Sequence, residues 1–125
     1  MDIENTANND MAACKLALIG FRYDENSSFI RGSADAPPLI REAFFSESSN
    51  LWSESGVNLG LPRTFFDAGD FSPVSGKDMI TEIEHKIVSL LSHNLRPLSL
   101  GGDHSINAMV CAKILKEVSA KLLVQ

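Results

Sequence analysis

Residues 98–105, with the order Leu-Ser-Leu-Gly-Gly-Asp-His-Ser, combine a short apolar run, two glycines, an acid, a histidine and a hydroxyl. This order predicts a buried strand, a tight turn and the first turn of a helix. In open α/β sheets, ligands bind beyond the carboxyl ends of the strands. We therefore take Asp103, His104 and Ser105 as the main candidates for contact with a ligand or metal.

Residue types alone leave three interpretations of this turn open. In the first, His104 supplies a neutral nitrogen to a metal, Asp103 orients it, and Gly101 and Gly102 allow the sharp backbone turn. In the second, amides at the helix start bind an anion. The third is a capped helix with a surface histidine. A catalytic metal needs several protein ligands, and the sequence contains no H-x-x-x-H or D-x-D pattern.

The elements that must position this turn alternate along the chain. The predicted strands cover residues 15–20, 64–70, 98–100 and 121–125, and the predicted helices cover residues 35–45, 77–94 and 105–119. Alternation of this kind implies a parallel sheet with helices on its faces. The first strand is a continuous apolar run, which is typical of a strand buried on both faces. The polar residues 21–32 then form a loop at its carboxyl end, where loops often carry function.

Side chains on the predicted helices indicate how these helices pack. Asp35 is placed to cap the first helix, whose first turn holds two prolines. The second helix carries one apolar stripe, which leaves His85 on the solvated side and His93 in the last turn. The third helix carries a broad apolar arc that includes Cys111, so we expect this cysteine to be buried.

Composition limits the class of protein. A chain of 125 residues with 44% hydrophobic residues, 22% charged residues and a net charge of −5 fits one acidic globular domain. It shows neither a basic patch for nucleic acid nor an apolar run long enough to span a membrane. Two cysteines outside a C-x-x-C pair favour a reducing compartment. We expect a cytoplasmic protein with no nucleic-acid or membrane partner, whose residues 1–13 form a disordered tail.

The motif at residues 100–105 resembles the first metal-binding motif of the ureohydrolases, the superfamily of arginases and agmatinases. Further matches to this family follow in the same order along the chain: Ile19-Gly20 with Asp24, the Arg-Gly-rich loop and Pro-x-x-Ile-Arg helix start at residues 31–41, residues 50–56, and Asp67-Ala68-Gly69-Asp70. Residues 50–56 resemble agmatinase-like members. Residues 14–125 are thus similar to the N-terminal part of a ureohydrolase domain.

This resemblance implies an α/β fold, the three-layer α/β/α arginase-like arrangement with a mostly parallel sheet, here truncated to about its first three or four strands. It also implies two manganese ions that activate a hydroxide, which attacks a guanidino or amidino carbon and breaks a C–N bond. His104 would be a metal ligand, supported by Asp103, Gly101, Gly102 and Ser105. Agmatine is the favoured small-molecule substrate, followed by arginine or formiminoglutamate.

The family's other metal ligands lie in an Asp-Ala-His-x-Asp motif and a later Asp-x-Asp motif, which would follow Gln125. We therefore expect no catalytic residue in this chain and no hydrolysis by the chain alone. The family is usually homo-oligomeric. One alternative is a non-catalytic interaction module that pairs with a C-terminal half, because the edge of the third strand would otherwise be bare. Another is an unrelated α/β anion-binding domain.

Overall fold

The computed structural model describes residues 11–124, except residues 75 and 77. The elements in chain order are β1 (Leu16–Phe21), a 3-10 turn (Ser33–Asp35), α1 (Ala36–Phe44), β2 (Phe66–Phe71), α2 (Asp78–Ser92), β3 (Arg96–Leu100) and α3 (His104–Val124). The first three predicted strands and all three predicted helices are present. Within these residues, none of the helices has the length and apolar character that crossing a bilayer requires.

The three strands form a parallel sheet in the order β2-β1-β3, so the first strand of the chain is the central one. Gly20 near the end of β1 lies beside Asp70 of β2 and Leu100 of β3. The carboxyl ends of all three strands therefore meet at one edge of the sheet. This edge carries both residues 101–105 and the polar loop that follows β1.

The main core lies on one face of the sheet, where side chains alternate along β1. Ala17, Ile19 and Phe21 are at most 2% exposed and pack against α2 and α3. The two helices contribute the remaining buried core side chains: Met79, Ile83, Ile87 and Leu90 from α2, and Ile106 and Val110 from α3. On the other face, Leu16 and Leu18 share an apolar surface with α1. The α/β/α layering expected from the sequence is confirmed.

Arg41 ties α1 to the ends of β1 and β2. Its side chain is only 12% exposed, and its Nε donates to Asp70 Oδ1 at 2.8 Å. Its Nη1 donates to Asp67 Oδ1, and its Nη2 donates to the carbonyl of Gly69 at 2.9 Å. A Cβ atom on Gly20 would lie 2.0 Å from Asp70 Oδ1. Glycine at that position therefore leaves the space that this ion-pair cluster occupies.

The predicted fourth strand is wrong over residues 121–124, which continue α3, and Gln125 lies outside the described residues. No glycine or proline follows Ser105 in the sequence, and the segment is rich in alanine, lysine and leucine. These residues are good helix formers, and each residue added to an existing helix gains a hydrogen bond. The apolar run near the chain end therefore extends the helix instead of starting a strand.

Cys111 is exposed, so its predicted burial is also wrong. Only part of the apolar arc of α3 is covered: Ile106 and Val110 are buried, but Leu115 and Val118 are 66% and 47% exposed. The arc is wider than the surface that α2 and the sheet offer it. Cys111 lies on the part of this arc that the described residues leave uncovered.

Three further predictions concern the N-terminal tail, the capping role of Asp35 and the exposure of two histidines. Residues 1–10 of the predicted tail lie outside the described part of the chain, whereas residues 11–13 are helical and Met11 is 9% exposed in the core. Asp35 occupies the N-cap position of α1, but its carboxylate accepts a hydrogen bond from Arg22 at 2.9 Å and makes no capping bond. His85 is exposed, as predicted, whereas His93, which was expected in the last turn of α2, lies just after the helix ends at Ser92 and is also exposed.

Replacing Arg41 with Gln should lower the free energy of unfolding by about 2 kcal/mol, because Asp67 and Asp70 lose their charged donor. Urea unfolding followed by circular dichroism measures this change. The matched variant Arg22→Gln removes an ion pair whose side chains are 41% and 67% exposed. It should lower the free energy of unfolding by less than about 1 kcal/mol. Equal losses in the two variants would contradict the role assigned to Arg41.

Candidate functional site

Backbone hydrogen bonds hold the turn after β3 against the segment after β1. The Gly102 amide donates to the Phe21 carbonyl at 3.2 Å, and the Asp103 amide donates to the Tyr23 carbonyl at 2.9 Å. A Cβ atom on Gly102 would lie 2.0 Å from the Tyr23 carbonyl oxygen, whereas one on Gly101 would meet nothing within 4 Å. Only the second glycine of the pair is therefore required by this close backbone approach.

The Asp103 carboxylate is fully engaged within the protein. Its Oδ1 accepts hydrogen bonds from the Ser105 amide at 2.9 Å and from the Ser105 hydroxyl. Its Oδ2 accepts one from the Asn26 amide at 2.8 Å. Asp103 thus caps the first turn of α3 and also attaches that turn to the loop after β1. The side chain therefore orders the residues around His104, with both of its oxygens hydrogen-bonded within the chain.

His104 is the first residue of α3, and it is exposed. It lies on the wall of an open cleft of about 560 Å³. The opposite wall comes from the loop after β1, and the cleft residues are Asn26, Ser27, Ser28, Phe29, Ile30, Ser33, Gly102, Asp103 and His104. This volume lies in the range of small-molecule sites. The imidazole is therefore accessible to a ligand that enters from solvent.

The described part of the chain does not contain a complete metal site. Among these residues, no group of three or more His, Cys, Asp or Glu side chains could hold a metal ion. His104 offers one nitrogen donor, whereas protein metal sites use three or four ligands. His93 Nδ1 lies 2.7 Å from the Ser89 carbonyl oxygen at the end of α2. The geometry fits His104 as one ligand of a larger site and does not fit a site built from this part alone.

Residue types alone do not indicate two contacts at this edge of the sheet, the bond between Asn26 and Asp103 and the ion pairs of Arg41. The bond between Asn26 and Asp103 joins residues 77 positions apart. The polar character of the loop at the end of a central strand is the signal that could have indicated it. The cluster around Arg41 was visible only as a family motif. Its signal is an arginine on a helix that packs against a strand with two aspartates at its end.

Comparison with solved structures places this fold in a known class. The arginase of Medicago truncatula has a TM-score of 0.76 and 31% identity, over 92% of this chain and 44% of that chain. The agmatine ureohydrolase of Thermoplasma volcanium has a TM-score of 0.67 and 29% identity, over 80% and 34%. A formiminoglutamase of Trypanosoma cruzi, solved with Mn²⁺, shares the fold at a TM-score of 0.66 and 23% identity, over 84% and 37%.

Residues 14–124 match the model of the arginase family, and the chain belongs to this family. Arginase 1, mitochondrial, of Oryza sativa subsp. indica is 39% identical over 114 residues, which are 84% of this chain and 32% of that protein. Arginase 1, mitochondrial, of Arabidopsis thaliana is 37% identical over 120 residues, 89% of this chain and 34% of that protein. The chain therefore spans about one third of the length of these relatives.

Family membership excludes one of the alternatives to the ureohydrolase resemblance. The chain belongs to the arginase family, so the alternative of an unrelated α/β anion-binding domain is wrong. The narrower expectation of an agmatinase-like member is not confirmed, since the curated relatives described above are named arginases. The ureohydrolase fold and the N-terminal placement of this chain within it are confirmed.

Gly102→Ala should lower the free energy of unfolding by about 2 kcal/mol, because its Cβ would collide with the backbone at Tyr23 and push the turn away from β1. Gly101→Ala is the matched control and should change this free energy by less than about 0.5 kcal/mol. Urea unfolding measures both, and amide exchange at Asn26 reports whether the turn has moved. Similar behaviour of the two variants would contradict the close approach.

Proposed function

We propose that this chain contributes the first metal-ligating part of a ureohydrolase site, and that the complete protein hydrolyses a C–N bond of a guanidino compound. The observation that carries this proposal is the accessible His104, held in a Gly-Gly-Asp-His-Ser turn on a cleft wall in an arginase-family fold. In the complete site, two manganese ions would polarise the substrate and lower the pKa of bound water.

Gly102 and Asp103 would together position His104 as a metal ligand. Gly102 allows the turn to approach β1, and Asp103 fixes the first turn of α3 through Ser105. The His104 ring would then be held at the carboxyl edge of the sheet with one nitrogen available to a metal. Such supporting contacts orient a ligand and tune its affinity for metal. The other ligands would come from residues beyond those described.

We place arginine ahead of agmatine and formiminoglutamate as the substrate, which reverses the order that the sequence motifs favoured. The support is the identity of 37–39% with curated relatives named arginases. Among the solved structures, the identity is 31% with the arginase of Medicago truncatula and 29% with the agmatine ureohydrolase. All three substrates share a guanidino or amidino carbon with a C–N bond to be broken. The reaction class therefore does not depend on this choice.

In the chain co-expressed with the segment of the rice arginase that lies beyond the matched region, His104→Ala should weaken Mn²⁺ binding by at least about tenfold, because the ring nitrogen is the proposed ligand. Water proton relaxation during a Mn²⁺ titration measures this affinity. His85→Ala and His93→Ala remove the two other imidazoles, which are exposed on and after α2, and should leave the affinity unchanged. Unchanged Mn²⁺ affinity in His104→Ala would contradict the proposal.

A second proposal concerns a partner, and the uncovered edge of the sheet favours it. Within the described residues, β3 pairs with β1 on one side and with no strand on the other. Leu98 on β3 is 51% exposed, and it borders an apolar groove of about 220 Å³ that also includes Leu16, Leu18 and Leu100. We propose that a strand from the remaining part of a ureohydrolase fold pairs with β3 and covers this groove.

The purified chain with Mn²⁺ and arginine should show no urea release on its own. Co-expression with the segment of the rice arginase that lies beyond the matched region should restore urea release. Leu98→Lys should abolish this restoration, because the charge would lie in the groove. Ile80→Lys is the matched control, since Ile80 is 48% exposed on α2. Urea release by the chain alone, or equal loss with both variants, would contradict the pairing.

A further inference from the structure

A second pocket lies at the edge of the sheet opposite the cleft that contains His104. It has a volume of about 290 Å³ and lies between the end of α1 and the segment that leads into β2. Its lining residues are Phe45, Leu51, Leu59, Gly60, Leu61, Pro62, Arg63, Thr64, Phe65 and Asp67. Because β2 is parallel to β1, the start of β2 and the carboxyl ends of the strands lie at opposite edges. The pocket is therefore separate from the cleft and from the proposed metal site.

The walls of this pocket are mostly apolar, and they include two aromatic rings. Phe45 and Phe65 are stacked, with ring centroids 6.4 Å apart. Phe45 and Leu61 are 53% and 57% exposed, so part of this apolar surface faces solvent. An apolar cavity of about 150 Å³ is enough to hold benzene. The pocket therefore has room for an aromatic ring with a short side arm, and binding such a ring would remove apolar surface from water.

Hydrogen bonds within the surrounding loop hold the pocket in shape. The Leu59 amide donates to the Leu51 carbonyl at 2.8 Å, which pairs the two sides of the loop. The Thr64 hydroxyl lies within donating distance of two carbonyl oxygens, that of Leu59 at 3.1 Å and that of Leu61 at 3.0 Å. A loop ordered by its own hydrogen bonds loses little conformational entropy when it binds a ligand.

Arg63 brings a positive charge to the wall of the pocket. Its φ of 66° lies in the left-handed region, which residues other than glycine rarely adopt. Among the described residues, its guanidinium has no ion-pair partner. The carboxylate that lines the pocket is that of Asp67, whose Oδ1 accepts hydrogen bonds from Arg41 and from the Gly69 amide. Apolar walls beside an unpaired guanidinium complement a ligand that carries both a ring and a carboxylate.

We propose that this pocket binds a small apolar carboxylate, whose ring contacts the apolar walls and whose carboxylate pairs with Arg63. The ligand class follows from the two features together, since apolar walls alone do not select for charge and an exposed arginine alone binds a carboxylate weakly. The site does not depend on the reaction proposed above. Asp67 lines the pocket and is paired with Arg41, so a bound ligand would lie beside the cluster that ties α1 to the sheet.

The test uses 3-phenylpropionate, which joins an aromatic ring to a carboxylate through a short methylene chain. Titration into the full chain labelled with ¹⁵N should shift amide resonances between Leu59 and Phe65. The uncharged analogue 3-phenylpropionamide should bind about fivefold more weakly, as expected for the loss of one exposed ion pair. Acetate has the carboxylate without the ring, and it should cause no shift at the same concentration.

Variants separate the charge of the pocket from its apolar walls. Arg63→Asn removes the charge, and because asparagine tolerates the left-handed backbone, it should equalise the affinities for the acid and the amide. Arg31→Asn is the matched control on an exposed arginine outside the pocket and should preserve the difference. Leu61→Ala should weaken the binding of both probes about threefold. Val57→Ala, on the same loop but outside the pocket lining, should leave both affinities unchanged.

Equal affinity of the unaltered chain for the acid and the amide would overturn the preference for a carboxylate. No shift around the pocket with 3-phenylpropionate at about 20 mM, a concentration that reveals weak binding, would overturn the site itself. Shifts with acetate as large as those with 3-phenylpropionate would overturn the role of the apolar walls. The titration uses neither metal nor a guanidino compound, so its outcome is independent of the function proposed for His104.

Discussion

The close backbone approach between Gly102 and Tyr23 is the contact on which the candidate site depends. It places the turn after β3 directly against the segment after β1, with the Gly102 and Asp103 amides donating to the Phe21 and Tyr23 carbonyls. Phe21 is the last residue of the central strand and Tyr23 follows two residues later, so these bonds fix the turn to the sheet. The position of His104 and the position of the loop opposite it are therefore set by the same few hydrogen bonds.

Much of the fold could be predicted from local sequence patterns, because those patterns report burial. Alternate residues of β1, and Ile83, Ile87 and Leu90 of the predicted stripe on α2, face the core in the way that their periodicity indicates. Ile80, which has the same helical spacing, is 48% exposed. The failures lie where burial depends on what else is present. Cys111 and the residues after it carry an apolar pattern, but the described chain does not cover all of it. A periodic pattern identifies an apolar face without identifying the surface that meets it.

For the candidate site, the turn itself could be predicted from the sequence, but its contacts with distant residues could not. The turn at residues 101–105 could be identified because its residue types and its place after a strand are local features. Its relation to Asn26 could not, because that hydrogen bond depends on the order of strands in the sheet. Likewise, Arg41 and Asp70 are far apart in sequence and meet only because β1 and β2 are neighbours. A contact between residues far apart in sequence can be predicted only when the order of the strands in the sheet is known.

The central place of β1 has a consequence for how the molecule folds. The strand that enters the sheet first along the chain completes its pairing only when β3, the last strand, is in place. Asn26 and Asp103 are 77 residues apart, so the cleft closes through one of the most non-local contacts in the molecule. A non-local contact can form only after a long loop has closed, and the conformational entropy lost in closing the loop slows folding. The cleft can be ordered only when β3 has joined the sheet, so its formation reports that the sheet is assembled.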